Sequence, residues 1–400
     1  MNKRIHYLDW LRFLAVFLGL VFHSGRPFDD WPWLIKGPEL GWTTFFNEAL
    51  TTVRLPLLFF VSGAATIFVL KKLVKDYTLD RMIRLLIPLG MGVLLIVPPQ
   101  HYIVRISLPP SDPQHFNGSY WQFLSGPWLH GGTYPLSNLR TEHLWYLLYL
   151  FIFSLLALPI FLYLRSPGGL ALWARLEHWF MAASWRVWLL VVIPAIGISL
   201  LPLIFRSHPG LVQDLENLLF FFFLYVLGFA LFHRPRLLEI IFSQRKLFAW
   251  AGLVLVIGKA YLFTVVWEHD TFSPGISLQN FELYWLLRDL AALCVVFAAL
   301  GYAHQYLNRP SPFLEHARHW VYPFYIWHQS VIVVLGYFVL KLAWPAWLLY
   351  GLLMLSALVV TITLSELVQH SALSRFLFGI HRRSGRKSAT ALSRTSKKML

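Results

Sequence analysis

Runs of apolar residues long enough to cross a lipid bilayer recur along this 400-residue chain, and they constrain its fold more than any other feature. A hydrocarbon core about 30 Å thick needs about 20 apolar residues in a helix. Ten such runs are read at about 8–25, 52–70, 85–105, 143–164, 186–205, 217–233, 247–267, 284–306, 322–340 and 346–367. Lipid leaves no water to satisfy backbone amides, so each run is expected to be helical. The expected fold is all-α, a polytopic membrane protein of about ten transmembrane helices. Composition agrees: 13% of residues are charged, against about 25% in a soluble domain.

The formal net charge is +15. Its distribution excludes a nucleic-acid-binding reading, because most Lys and Arg fall in alternate connections and at the two termini. That is the positive-inside pattern, and it places both termini in the cytoplasm. Lys3 and Arg4 could instead begin a signal peptide, but Asp9 and Arg12 interrupt the apolar core that one requires. Cys294 is the single cysteine, so neither an intramolecular disulfide nor a cysteine-based metal site is expected.

Residues 1–370 are expected to form one transmembrane domain. Residues 371–400 are expected to be a basic, disordered cytoplasmic tail resting on anionic lipid. The connection 106–142 is long and rich in aromatic residues, Gly and Pro, and its length marks it as functional. The sequence shows no internal repeat, Walker-type phosphate loop, His-Glu-x-x-His metal motif or Gly-x-Ser-x-Gly elbow.

Ionisable residues inside apolar runs mark candidate chemistry, because they are costly in hydrocarbon. Arg12 and His23 are eleven residues apart. They therefore share one stripe of a helix and lie about 16 Å apart along its axis. The histidine suits general-base work on a hydroxyl, and the arginine suits a phosphate or an oxyanion. Snorkelling of Arg12 to the interface is the simpler alternative. Arg54 lies near the outer end of the second run, where snorkelling explains it as well as a site does. Ser62, Gly63, Ala64 and Ala65 read as a close helix-packing patch. Arg81 and Arg84 flank inner helix ends and suit the phosphates of a cytosolic donor, although topology alone explains them equally well.

Glu142 and His143 open the fourth run on the same side as His23. His328 is placed about two turns from the inner end of its run, at the depth of Arg12, where a buried structural histidine is the simpler reading. Lys259 has no identifiable partner. Arg288 and Asp289 lie too close to the outer interface to be informative.

Five motifs occur together and in order. They are Leu8-Asp9-Trp10-Leu11-Arg12 with His23, Phe59-Phe60-Val61-Ser62-Gly63, Arg81 to Arg84 followed by Pro88, His143-Leu144-Trp145-Tyr146, and Tyr325-Ile326-Trp327-His328. On these the chain resembles the acyltransferase-3 membrane family, over nearly its whole length to about residue 370. The placement of Val53-Arg54 before the Phe-Phe-Val-Ser-Gly run looks most like the glucan succinyltransferase branch.

The resemblance implies O-acyl transfer, with acetyl or succinyl as the acyl group. The donor would be a cytoplasmic acyl-coenzyme A, a co-substrate rather than a permanently bound cofactor. The acceptor would be a carbohydrate hydroxyl of a glucan or other envelope glycan on the outer side. It implies His23 as the catalytic histidine and Arg12 as a donor-cavity or stabilising residue. Arg54, Glu142, His143, His328, Arg81 and Arg84 are candidate substrate-binding residues, and no metal is expected. Many relatives carry a soluble esterase-like domain after the last span, which this sequence lacks. A transporter or flippase for a sugar or lipid-linked glycan is the rival reading, although the repeats common in transporters are not seen. A non-catalytic scaffold leaves Arg12 and His23 unexplained.

Overall fold

The structure is a computed structural model that describes residues 5–70, 74–130, 140–200, 209–266 and 278–380; side chains at 209–214, 266 and 278–282 are not among those described. The described residues are helical, with turns and connecting segments between the helices. Helix α1 is His6–Gly25 and α2 is Gly41–Val69. The third apolar run is a broken helix of α3 (Val74–Arg81), α4 (Ile87–Met91) and α5 (Pro98–Ser107), with π-helical turns between them. A short α6 (Tyr120–Phe123) lies in the connection that follows. Then come α7 (Trp145–Leu156), α8 (Leu158–Arg165), α9 (Pro167–Met181) and α10 (Leu189–Ser199). The chain continues through α11 (Pro209–His233), α12 (Arg236–Ser243), α13 (Arg245–Tyr261) and α14 (Leu278–Leu307). It closes with α15 (Pro312–Val339), α16 (Ala346–Leu367) and α17 (Ala372–Leu377).

Among the described residues, seven helices are long and apolar enough to cross a membrane, or up to nine if each of two bent pairs is one span. The expected ten differ in identifiable places. The run at 143–164 bends by 44° between α7 and α8. The run at 186–205 belongs to a pair bent by 118°. The run at 322–340 is helical within α15 but is not among the seven, because His328, Gln329 and Ser330 dilute its apolar character. Two segments depart from the expected boundaries. Helix α2 starts eleven residues before 52, within what reads as an outer loop. Helix α17 lies within the tail expected to be disordered from 371, so ordered chain extends past that boundary. Residues 381–400, with most of the basic tail, lie outside the described residues.

Prolines explain much of how these helices join. A proline inside a helix leaves the carbonyl four residues earlier without its usual donor. Pro88 frees the carbonyl of Arg84, and Tyr322 donates its hydroxyl to it at 2.7 Å. Pro323 frees that of His319, which accepts from Gln369 Nε2 at 2.9 Å. Near Pro98 the Gln100 amide turns to Val97, and the Ile96 carbonyl accepts from Ser330 Oγ at 2.6 Å. Each break thus becomes an interhelical tie, which is how such breaks are accommodated in membranes. Helices α2 and α11 approach closely through two glycines. A Cβ on Gly63 would lie 1.8 Å from the Tyr225 carbonyl oxygen, and one on Gly228 would lie 2.1 Å from that of Phe60.

Candidate active site

Helix α1 carries the stripe that organises the site. Ala15, Val16, Gly19 and His23 line a cavity of about 280 Å³, together with Arg54, Glu142, His143 and His328. Arg12 lines a second cavity of about 360 Å³, with Arg81, Arg84, Arg318, Tyr146 and Tyr322. Val16, Leu58 and Tyr325 border both. The stripe expected from helical spacing thus runs from one cavity into the other.

Three imidazoles meet in the first cavity. The rings of His23 and His328 are 5.2 Å apart between centroids, and those of His143 and His328 are 5.1 Å apart. Carbonyl oxygens only accept, so two of the rings have defined tautomers when neutral. His328 donates from Nδ1 to the Tyr325 carbonyl at 2.7 Å, which leaves Nε2 with its lone pair. His143 donates from Nε2 to the Ile326 carbonyl at 2.9 Å. Its Nδ1, like Nδ1 of His23, is buried without a partner. Tyr325 donates its hydroxyl to the His143 carbonyl, locking α15 against the start of α7. His23 stacks on Trp33, with ring centroids 6.1 Å apart.

The expectation that His328 sits at the depth of Arg12 is corrected: it lies beside His23. Helix α15 begins at Pro312 rather than near 322, because Ser311 caps a polar first turn that reads as a loop. His328 is therefore sixteen residues into the helix, about 24 Å from its start.

Arg54 does not snorkel. Its guanidinium carbon lies 3.7 Å from the Phe22 ring centroid, and its Nε is buried without a hydrogen-bond partner. Glu142 accepts from or shares a proton with His101 Nε2 at 2.9 Å. Its φ of 43° is the only positive value at a non-glycine residue among those described. Such a conformation costs about 1–3 kcal/mol and persists where the surroundings enforce it.

The second cavity is cationic. Arg84 pairs with Asp80 at 3.0 Å, and Arg81 packs over Tyr77. Arg12 approaches Asp9 only to 4.0 Å. Gly379 and Ile380 also line this cavity, so the segment after α17 closes it. Ser62, read from sequence as a packing residue, bonds the Tyr146 hydroxyl at 2.8 Å and lines this cavity, as does Ala65.

Lys259, Arg288 and Asp289 have partners, whereas Glu216 on α11 is buried with neither carboxylate oxygen hydrogen-bonded. Lys259 is fully buried and pairs with Glu48 at 2.6 Å. Arg288 and Asp289 form a buried pair at 2.6 Å. Sequence reading missed Glu48 because it falls in the extra turns of α2. It also missed Tyr325, whose spacing of three from His328 placed both on one helix face.

The Acyltransferase domain family model matches residues 5–366. The chain is similar to Glucans biosynthesis protein C of Escherichia coli strain K12, at 21% identity over 387 residues and 94% of each chain. The same values hold for the protein of that name from Escherichia coli O157:H7 strain EC4115. No solved structure matches the chain. With its apolar helices and its three-histidine cavity enclosed by the matched segment, this multi-pass membrane protein belongs to the acyltransferase family described by that model.

Proposed function

We propose that the chain is an integral-membrane O-acyltransferase that moves an acyl group from acyl-coenzyme A to a carbohydrate hydroxyl. The observation that carries this reading is the pair of adjoining cavities, one cationic and one holding the histidines, bordered in common by Val16, Leu58 and Tyr325. Arg12, Arg81, Arg84 and Arg318 suit the phosphates of coenzyme A, because guanidinium groups bind phosphate in a fixed fork geometry. From there the pantetheine arm would run along α1, past Val16, toward His23.

In the histidine cavity the acceptor hydroxyl gives its proton to an imidazole, His23 or the pre-oriented Nε2 of His328. The alkoxide attacks the thioester carbonyl. Arg54, whose Nε lacks a partner, faces the charge that develops on the carbonyl oxygen. Collapse of the tetrahedral intermediate breaks the C–S bond. The thiolate takes up one proton, which balances the one removed from the hydroxyl. On this reading the cationic cavity faces the cytoplasm and the histidine cavity the periplasm. The name of the relatives, Glucans biosynthesis protein C, supports a glucan acceptor, and the reading includes a bacterial inner-membrane location.

Membranes carrying the chain, incubated with radiolabelled acetyl- or succinyl-coenzyme A and a mixed periplasmic glycan fraction, test this directly. Label in carbohydrate supports the reading and names the donor. Movement of unmodified glycan across the membrane without label would favour the transporter instead.

A further inference from the structure

A third cavity of about 360 Å³ adjoins the histidine cavity and has no part in the mechanism above. Arg54, Leu55 and Trp145 line both, so the two are neighbours that share these side chains. Its own walls include Thr51, Tyr149, Asn217, Trp285 and Arg288. The volume is within the range of ligand sites, about 300–1,000 Å³.

The walls select among possible occupants. Arg288 is buried, and its charge is already offset: Nε donates to Asp289 Oδ1 at 2.8 Å, and Nη1 donates to Asn217 Oδ1 at 2.6 Å. Its guanidinium carbon also lies 4.0 Å from the Trp285 ring centroid. The Lys259–Glu48 pair on the neighbouring helices is closed in the same way, with Tyr284 donating to Glu48 at 2.8 Å. The charge of Arg288 is thus already spent, and a free anion gains little from it. The Thr51 hydroxyl is satisfied by the Glu48 carbonyl and Lys259, but the Asn217 amide nitrogen keeps its donors free, and a lipid tail would leave them against hydrocarbon. Aromatic faces beside neutral hydrogen-bonding groups fit a pyranose ring, which has apolar C–H faces and a hydroxyl rim.

We infer that this chamber binds the sugar next to the one acylated, so that the acceptor is a glycan of at least two linked pyranoses. The inference rests on the acyltransferase reading for its purpose, and its test separates the two. Purified full-length chain in detergent, unaltered and as Asn217→Ala and Trp285→Leu, is titrated by calorimetry with methyl β-glucoside and with a β-linked glucose tetramer, with no donor present. Acetyl transfer to both probes from acetyl-coenzyme A is then measured for the unaltered chain and for Asn217→Ala and Trp285→Leu.

The expected result is binding of the tetramer at least tenfold tighter than the monosaccharide. Either variant lowers the tetramer-to-monosaccharide ratio of kcat/KM by about tenfold, the scale of one lost site contact. Because the readout is a ratio, a partial loss of folded protein does not mimic it. Equal affinity for the two probes, no binding of either, or an unchanged ratio in both variants would overturn the chamber assignment while acyl transfer stood. Variant-sensitive tetramer binding without transfer to any probe would keep the glycan chamber and overturn the acyltransferase reading.

Discussion

Replacing Lys259 by Met removes a buried charge whose surroundings are fully specified. The ammonium is 0% exposed and lies 2.6 Å from Glu48 Oε1. It also donates to Thr52 Oγ1 at 3.0 Å, Thr51 Oγ1 at 3.2 Å and the Glu48 carbonyl at 3.3 Å. Losing one partner of a buried ion pair costs about 3–5 kcal/mol, because the other charge is left buried. Two effects work against that figure. Glu48 keeps the Tyr284 hydroxyl at 2.8 Å, and chains unfolded within a membrane also find partners, which cuts interhelical hydrogen bonds to about 0.6 kcal/mol. The charge term is larger than the hydrogen-bond term, so a loss of about 2–4 kcal/mol is expected for Lys259→Met, and a similar loss for Glu48→Gln. The double variant carries no buried charge at this place and should lose much less than the sum. The assay is a double-mutant cycle by equilibrium unfolding in mixed micelles, read by circular dichroism. A coupling energy of about 2 kcal/mol or more supports the argument. Additive losses below about 1 kcal/mol each would refute it, and would mean that water reaches the pair.

Other perturbations have equally definite outcomes. Arg81→Gln and Arg84→Gln should each raise KM for acyl-coenzyme A about tenfold, since hydrogen bonds to charged groups contribute about 1.5–3 kcal/mol; steady-state kinetics with acetyl-pantetheine, which lacks the nucleotide phosphates, should show no such rise. Glu142→Gly should relieve the positive φ and raise the thermal midpoint in detergent while lowering kcat/KM, a combination a passive loop residue would not give. Gly63→Ala should push α2 and α11 apart and cost about 1–3 kcal/mol or more, whereas Gly90→Ala, where an added Cβ meets nothing within 4 Å, should be neutral or stabilising; folded yield by size-exclusion chromatography compares them.

Much of the site was legible because one helix carries its axis. The spacing of Arg12 and His23 depends only on helical pitch, and α1 is unbroken from His6 to Gly25. Arg54, Glu142 and His143 fell on the His23 side because their runs begin at that end of the bundle. Depth along α15 was not legible. Its first ten residues, with Glu315, His316, Arg318 and His319, look like a loop, and only the Ser311 cap and the packing of Tyr322 and Gln369 make them helix. The partner of Lys259 was hidden for a similar reason: Glu48 sits in turns of α2 rich in Thr and Asn, which window hydropathy discards. Ser62 shows the converse failure. Small residues in an apolar run suggest packing, and Gly63 does pack, yet the neighbouring hydroxyl faces a cavity and holds Tyr146.

The claim that the histidine cavity performs acyl transfer is tested most directly by comparing kcat for the purified chain, His23→Ala, His328→Ala and the double variant, with acyl-coenzyme A and a glycan acceptor. A general base contributes about 10²–10⁴-fold. Loss on that scale in at least one single variant is predicted, with the double variant no slower than the slower single, because groups acting as one unit are not additive. Unchanged turnover in all three variants would contradict the account and move the chemistry out of this cavity.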